Sequence, residues 1–493
     1  MSQLFQDPAP DSLDPADWAT LRHQAHGMLD DMLDHLEHLR QHAVWQAAPD
    51  EVRARFAEPL PRQPGSLDSI HARFMNDILP YGVGNIHPGF MGWVHGGGTL
   101  AGMLAEMLAA GMNANLGGRN QIPVQVEWQI VRWMRELFDF PAEASGVFVT
   151  GTSQANLMAV WVARVRYLGV AVRRQGLAQH PLRLRAYAST AAHGSVAQAL
   201  DLAGLGSDCL CRIDVDAAQR IDVDALRRQI EADRQAGWTP FLLVGNAGTV
   251  DCGAIDPLDD LADIAQAHGV WLHVDGALGA LGMLNAQLAP LFAGITRADS
   301  IAFDFHKWGQ VPYDAGFVLV RDGELHLGTF ASPAAYLRRE ADGLAGGSPW
   351  PCDFGPDLSR GFRALKTWFT LQVYGTDRLG QIMAQTCALA RYLAERITAE
   401  PMLELRAPVA LNIVCFTYRC DAAEAADAAD AVNAAIAVAV QHSGLAAPST
   451  TVLEGCLVLR AAIVNHRTRA EDIDRLVDAV LQQGARLAGA TRD

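Results

Sequence analysis

The sequence predicts an α/β protein, with a mainly parallel sheet covered by helices on both faces and a smaller α+β domain after it. Two patterns carry this expectation. Between about residues 145 and 322, short β-rich runs alternate with helical runs, as parallel strands joined by crossover helices do. After Gly380 the order becomes helix, strand, helix, strand, helix. A third observation bears on chemistry: polar residues gather where the β runs end, and ligands of open α/β sheets sit at the carboxyl ends of the strands.

The elements follow in order. Residues from Asp17 to about His42 carry a helical period in Leu21, Met28, Leu29, Met32, Leu33, Leu36 and Leu39. A Pro-rich connection follows at Pro59-Leu60-Pro61 and Pro64-Gly65, so residues 1–85 read as a helical arm packed on something larger. The large domain is expected over 86–380. Its β runs are Gly146 to Thr150, Arg185 to Thr190, Phe241 to Thr249, Trp271 to Gly279, Ser300 to Trp308 and Gly316 to Val320. Residues 338–357 are rich in Gly and Pro and read as a long mobile loop, a length that is often functional. A smaller domain is expected over 381–493, with an Ala-rich helix across 422–440 and a strand across 456–464.

Composition narrows the class. Half of the 493 residues are apolar, enough for a large core in two or three domains. Lys plus Arg is 39 against 55 Asp plus Glu, a net charge of −16 that disfavours nucleic acid and anionic membrane surfaces. Cys209, Cys211, Cys252, Cys352, Cys387, Cys415, Cys420 and Cys456 form no CxxC pair and read as reduced thiols without a metal. The acidic, Pro-rich start lacks the basic and apolar regions of a signal peptide. The apolar stretch Gly96 to Met112 is broken by Glu106 and is too short to span a bilayer. The expectation is a soluble, cytoplasmic protein.

Five strand ends carry candidate chemistry. Lys307, in Asp304-Phe305-His306-Lys307-Trp308, is either a surface lysine after an edge strand or a buried amine whose lowered pKa makes it a nucleophile towards an aldehyde. Asp275, in His273-Val274-Asp275-Gly276-Ala277, is either a helix-capping or salt-bridged carboxylate or the partner of a protonated ring nitrogen. Thr152 and Ser153 open a helix after Thr150-Gly151, where they cap it or help backbone N–H groups hold a phosphate. No Walker lysine follows, and Ala155 excludes a GxSxG elbow. His193 follows a strand and can stack on a flat ring or be an ordinary polar residue. Thr249 ends another strand and can donate a hydrogen bond.

Taken together, this order resembles the group II pyridoxal 5′-phosphate (PLP) decarboxylases, which act on aromatic L-amino acids, glutamate and histidine. The motifs are His87-Pro88-Gly89-Phe90, His193, Asp275-Gly276-Ala277, His306-Lys307-Trp308 and Leu358-Ser359-Arg360-Gly361-Phe362-Arg363. The run from Asp304 to Trp308 followed by Pro312-Tyr313-Asp314 is similar to bacterial members. The resemblance implies PLP fold type I and a homodimer with its active site at the subunit boundary. It implies that Lys307 holds PLP as a Schiff base, Asp275 pairs with the pyridine nitrogen, His193 stacks on the ring and Ala277 supports its other face. Thr152 and Ser153 would hold the phosphate, with Asp304 a further polar contact on that side. Thr249 would lie near the phenolic or carboxylate side, and His306 would neighbour the lysine. His87, Phe90, Trp93 and His95 would lie along the substrate entrance.

Two departures matter. Trp93-Val94-His95 runs into Gly96-Gly97-Gly98, richer in glycine than the aromatic-amino-acid enzymes. Between Tyr336 and Arg363 there is no tyrosine, where the family's loop carries one to protonate the carbon that has lost CO₂. The loop offers Trp350, Cys352, Asp353 and Phe354 instead, with Tyr336 and Tyr313 as substitutes. The expected reaction is decarboxylation of an L-amino acid to an amine. The alternatives are oxidative decarboxylation to an aldehyde with O₂ uptake, a carbon–carbon lyase reaction, and a catalytically silent scaffold. Lys307 and Asp275 argue against the last.

Overall fold

A computed structural model of the chain describes residues 13–332, 339–419 and 426–490. Among these, the large sheet has seven strands. They are β2 (Ser145–Val149), β3 (Leu184–Ser189), β4 (Leu210–Ile213), β5 (Thr239–Asn246), β6 (Trp271–Asp275), β7 (Ser300–Asp304) and β8 (Gly316–Val320). Their order is β2-β8-β7-β6-β5-β3-β4. The neighbours from β7 through β6, β5 and β3 to β4 are parallel, and β8 runs antiparallel to both β7 and β2. The mainly parallel α/β sheet read from the sequence is therefore present.

Side-chain alternation explains why the sheet is buried on both faces. Phe148, Phe303 and Phe317 point to one face, against Leu226 and Leu261 of the helices Val223–Gln235 and Leu258–His268. Val147, Val149, Ala302 and Val318 point to the other, against Met158, Ala155 and Val162 of the helix Thr152–Leu168. Small residues let that helix lie close to the strands.

The second sheet has the order β1-β11-β12-β10-β9. It is built from β1 (Phe90–Met91), β9 (Leu403–Leu405), β10 (Ile413–Tyr418), β11 (Ala447–Leu453) and β12 (Cys456–Ala462). The helices Thr376–Ala399, Ala426–His442 and Ala470–Ala490 complete its core. β1 pairs in parallel with β11, so the chain just after His87 is tied to the C-terminal sheet. The N-terminal helix is Trp18–Glu37, and none of its residues is fully buried. The helix Leu100–Met112 likewise exposes Leu104, Met107, Leu108 and Met112. No described helix is long and apolar enough to cross a membrane. Cys420 and Tyr336 fall outside the described residues; the other seven cysteines are free thiols.

The antiparallel β8 matters for function. Asp304 pairs with Gly316, so the connection 305–315 turns back at the carboxyl edge of the sheet. A Cβ on Gly316 would meet Gly151 Cα at 2.4 Å, so glycine there permits the hairpin to close against the turn before the helix Thr152–Leu168.

One buried ion pair locks the loop following residue 350 to this frame. Arg360 and Glu127 are 3 % and 1 % exposed and meet through two hydrogen bonds of 3.0 and 2.6 Å. Glu127 also accepts from Phe148 N, and Arg360 donates to the carbonyls of Phe148 and Leu116. Removing one partner leaves the other charge buried and unpaired, at a cost of about 3–5 kcal/mol. Arg360→Met should therefore lower the unfolding free energy measured by chemical denaturation by about that amount; a change below about 1 kcal/mol would contradict the assignment.

Candidate active site

Eleven of the thirteen site residues expected from the sequence line one cavity of about 320 Å³. They are Trp93, His95, Thr152, Ser153, His193, Thr249, Asp275, Ala277, Asp304, His306 and Lys307. Its floor is the carboxyl edge of the large sheet. Phe90 and His87 are not in its lining. Phe90 is buried behind the wall and stacks on His95 at 5.7 Å. His87 is buried, and its Nδ1 accepts from Gly89 N.

Asp275 ends β6 and is 6 % exposed. Oδ2 accepts from Asn156 Nδ2 at 2.9 Å, and Oδ1 from Ala277 N at 3.2 Å. Behind it runs a buried chain. Trp271 Nε1 donates to Ser300 Oγ, which meets His273 Nδ1 at 2.9 Å. His273 Nε2 meets Asn156 Oδ1 at 2.9 Å, which orients the amide so that its NH₂ faces Asp275. Burial holds the His273 imidazole down to about 4, so it is neutral at pH 7. Among the described residues no cationic side chain pairs with Asp275. A buried carboxylate with only neutral donors is suited to a positively charged ring N–H.

Asp304 ends the neighbouring β7 and is 2 % exposed. Its Oδ1 accepts from Thr152 N at 2.8 Å, and its Oδ2 lies 2.7 Å from Lys307 Nζ. This holds the lysine amine beside the first turn of the helix Thr152–Leu168. Thr152 Oγ1 is buried with no hydrogen-bond partner. An orphaned hydroxyl at a helix N-terminus fits an anionic ligand. His306 accepts from Ala315 N through Nδ1 at 2.9 Å, which leaves its proton on Nε2. Burial pushes this imidazole to about 4 despite the opposing pull of Asp304.

His193 is exposed at the rim, and its Nδ1 is held by Ser195 Oγ at 2.8 Å. Thr249 is buried; its Oγ1 accepts from Ala254 N at 3.0 Å and steadies the turn after β5. The far wall is aromatic: Trp93 and His95 lie 6.2 Å apart, and Tyr313 meets His95 edge-on at 5.7 Å.

The residues fit PLP. Lys307 offers the amine, Asp275 the uncompensated carboxylate, Thr152 and Ser153 the anion-binding turn, and Ala277 and His193 lie on the lining where a flat ring would sit. Sequence reading missed Asn156, Ser195, Asn246 and Arg460. Arg460, on β12, is 3 % exposed and lines the cavity from the C-terminal sheet. It donates to the carbonyls of Gly92, Val250 and Asp251, and no carboxylate among the described residues lies within ion-pair distance. The loop residues Trp350 and Phe354, offered by the sequence as neighbours of the reaction, are instead buried away from the lining. Trp350 lies under the guanidinium groups of Arg339 and Arg119, at 3.4 and 4.5 Å from its ring centroid.

The buried imidazoles set a pH dependence. His273 and His306 drop from 6.5 to about 4 in the folded chain, while the unfolded chain keeps the ordinary value. Between those values the unfolded state binds protons that the folded state refuses, so stability is lost as pH falls below 6.5. Each group costs about 2 kcal/mol by pH 5. Thermal unfolding should show the midpoint falling steadily from pH 7 to pH 5; a flat or rising midpoint would contradict this.

Comparison with known proteins agrees with the geometry. The family model for the pyridoxal-dependent decarboxylase conserved domain matches residues 49–419. The aromatic-L-amino-acid decarboxylase of Bacillus atrophaeus is 32 % identical over 459 residues, covering 92 % of this chain and 93 % of that protein. The L-2,4-diaminobutyrate decarboxylase of Rhizobium meliloti (strain 1021) is 31 % identical over 425 residues, covering 86 % and 83 %. Mouse CSAD superposes with a TM-score of 0.88 at 24 % identity, covering 95 % of this chain and 99 % of that one. Oryza sativa TDC, solved with PLP and tryptamine, gives 0.87 at 22 % identity, covering 97 % and 100 %. At such identities these structures speak for the fold, PLP fold type I. The chain belongs to the pyridoxal-dependent decarboxylases: it is a PLP enzyme that removes the carboxyl group of an L-amino acid as CO₂.

Proposed function

We propose that the cavity is the active site, that Lys307 carries PLP, and that the substrate is an L-amino acid with a flat, uncharged side chain. The single observation behind this is the buried Asp275, hydrogen-bonded on both oxygens yet without a cation among the described residues. Bound PLP supplies an electron sink for the pair released when the bond to the carboxyl group breaks. The chain's own groups do the rest. Asp275 keeps a proton on the pyridine nitrogen, and Asn156 and His273 keep Asp275 in place. Thr152 and Ser153 hold the phosphate at the helix N-terminus, with Asp304 beside it. His193 covers one face of the ring and Ala277 supports the other. His306 lies beside the lysine. Thr249 supports the turn on the phenolic side.

The substrate reading rests on the walls. Trp93, His95 and Tyr313 present aromatic surface. The two carboxylates that line the cavity, Asp275 and Asp304, are already assigned to cofactor and lysine. Arg460 adds a cation suited to the substrate carboxylate. A relative's name points to aromatic amino acids, and another's to diaminobutyrate; the aromatic wall favours the former. Incubating the holoenzyme with each common L-amino acid, and measuring CO₂, amine, aldehyde and ammonia separately, tests this. Turnover confined to acidic or basic amino acids would overturn it. A second outcome, aldehyde with O₂ uptake, is favoured by the absence of tyrosine from 339–363, and an oxygen electrode tests that arm.

We also propose a cytoplasmic homodimer in three parts, 1–85, 86–380 and 381–493, with the site at the subunit boundary. No residue of the helix Trp18–Glu37 is fully buried, and the helix Leu100–Met112 leaves an apolar row exposed, which supports a partner surface. Deleting residues 1–60 should cause aggregation or dissociation in sedimentation experiments; a soluble, fully active monomer would contradict the dimer.

Borohydride reduction of holoenzyme should fix a pyridoxyl group on the peptide containing Lys307, and a label on any other lysine would sink that assignment. Asp275→Ala should fold normally and lose at least about 10²-fold in kcat, since an uncharged ring is a poorer sink. Near-normal turnover would give Asp275 another part.

A further inference from the structure

Breaking the bond to the carboxyl group leaves an electron pair on the former α-carbon, and that carbon must receive a proton before an amine can leave. The donor has to face the cavity, carry a proton at neutral pH and be held still. His306 is neutral, but its ring lies under Tyr313. Asp275 and Asp304 are engaged on both oxygens, by Asn156 and Ala277 N and by Thr152 N and Lys307. Tyr313 meets all three requirements.

Tyr313 lies in the β7–β8 connection, six residues after Lys307, and lines the same cavity. Its ring rests on His306 with centroids 4.2 Å apart and meets His95 edge-on at 5.7 Å. Its backbone is clamped from the helix Arg363–Tyr374. Lys366 Nζ, 3 % exposed and paired with Glu106, donates to the Tyr313 carbonyl at 2.9 Å. Arg363 holds the adjacent Asp314 through bonds of 2.8 and 3.3 Å. Its hydroxyl makes no hydrogen bond to another described residue, while half of the residue faces open space. A rigid ring with an uncommitted hydroxyl, on a wall shared with the lysine, has no evident packing duty that phenylalanine would not serve.

We propose that Tyr313 is a catalytic acid: its hydroxyl gives the proton to the substrate carbon that has lost CO₂, within its own subunit. The C–CO₂ bond breaks, its electron pair stays on carbon, a C–H bond forms with the phenolic proton, and the phenolate recovers a proton from water. Burial and the nearby Asp304 raise the phenol above its ordinary value, which keeps the proton in place until so basic a carbon appears. The cations Lys366 and Arg363 reach the backbone and Asp314, so they fix the ring's position.

The proposal rests on the decarboxylation reading, and its test separates the two. Wild-type holoenzyme turning over in D₂O should yield amine with one deuterium of a single configuration at the former α-carbon. Tyr313→Phe should bind PLP within twofold of wild type by fluorescence titration, lose on the order of 10²-fold in kcat, and give deuterium in both configurations. A Tyr313→Phe enzyme with kcat within twofold of wild type and a single configuration would overturn the proposal alone. Wild type that forms no amine or CO₂ from any amino acid would overturn both. Should Tyr313→Phe fail to fold, fluorotyrosine at position 313 serves instead. Its ¹⁹F resonance should shift when the product amine binds, and the alkaline limb of kcat should move to lower pH with the more acidic phenol. An unmoved resonance and an unmoved limb would overturn the assignment.

Discussion

Burying a carboxylate costs several kcal/mol unless hydrogen bonds and an opposite charge compensate it. Asp275 has the hydrogen bonds and, among the described residues, no opposite charge beside it. Its donors are an asparagine amide and a backbone N–H, and the asparagine is oriented in turn by His273, Ser300 and Trp271. Each link is buried and neutral, so the negative charge stays on one atom group at the cavity floor. The whole chain depends on neighbouring parallel strands in fixed register, since His273 pairs with Ser300 across β6 and β7. Slipping one strand by a residue would turn Asp275 to the opposite face. The apolar core is thus what keeps an uncompensated charge aimed at a ligand.

Asp304 solves the opposite problem. It stands one strand over, at the same edge, and its two oxygens link the helix N-terminus to the lysine amine. The antiparallel return of β8 makes this possible. A parallel successor would need a long crossover. A hairpin instead keeps His306, Lys307 and Tyr313 within one short connection, closed against Gly151 by the missing side chain of Gly316.

Much of this site was legible in the sequence because each residue sits at or just past the end of a short, near-continuous apolar run. Lys307, Asp275, Asp304 and Thr249 all follow that rule, and so does the turn at Thr152. Asn156 did not, being one polar residue inside a helix whose only signal is a partner 119 positions away. Arg460 was hidden for the same reason: it belongs to a strand of the other sheet and reaches the cavity only through tertiary packing. The Gly- and Pro-rich segment before Arg360 read as a mobile loop. Composition carries no trace of Arg119, which lies over Trp350 from more than two hundred residues upstream. Phe90 and His87 lie near the entrance in sequence, but pairing of β1 with β11 sets Phe90 behind His95, and His87 is buried off the lining.

The two sheets divide the work in a way that bears on selectivity. Every residue proposed to hold the cofactor comes from the large sheet and its connections, where register is fixed by a doubly covered core. The side proposed for the substrate is mixed. Trp93 and His95 follow β1, Tyr313 comes from the hairpin, and Arg460 from β12. Arg460 is satisfied by carbonyls from both sides, Gly92 on the β1 segment and Val250 after β5, so it joins the sheets while keeping an uncancelled charge. A neutral polar residue there could make some of the same bonds but would not attract an anion. The cost of burying that charge is accepted in every molecule. Under the proposed function, a substrate carboxylate beside Arg460 would offset part of that cost.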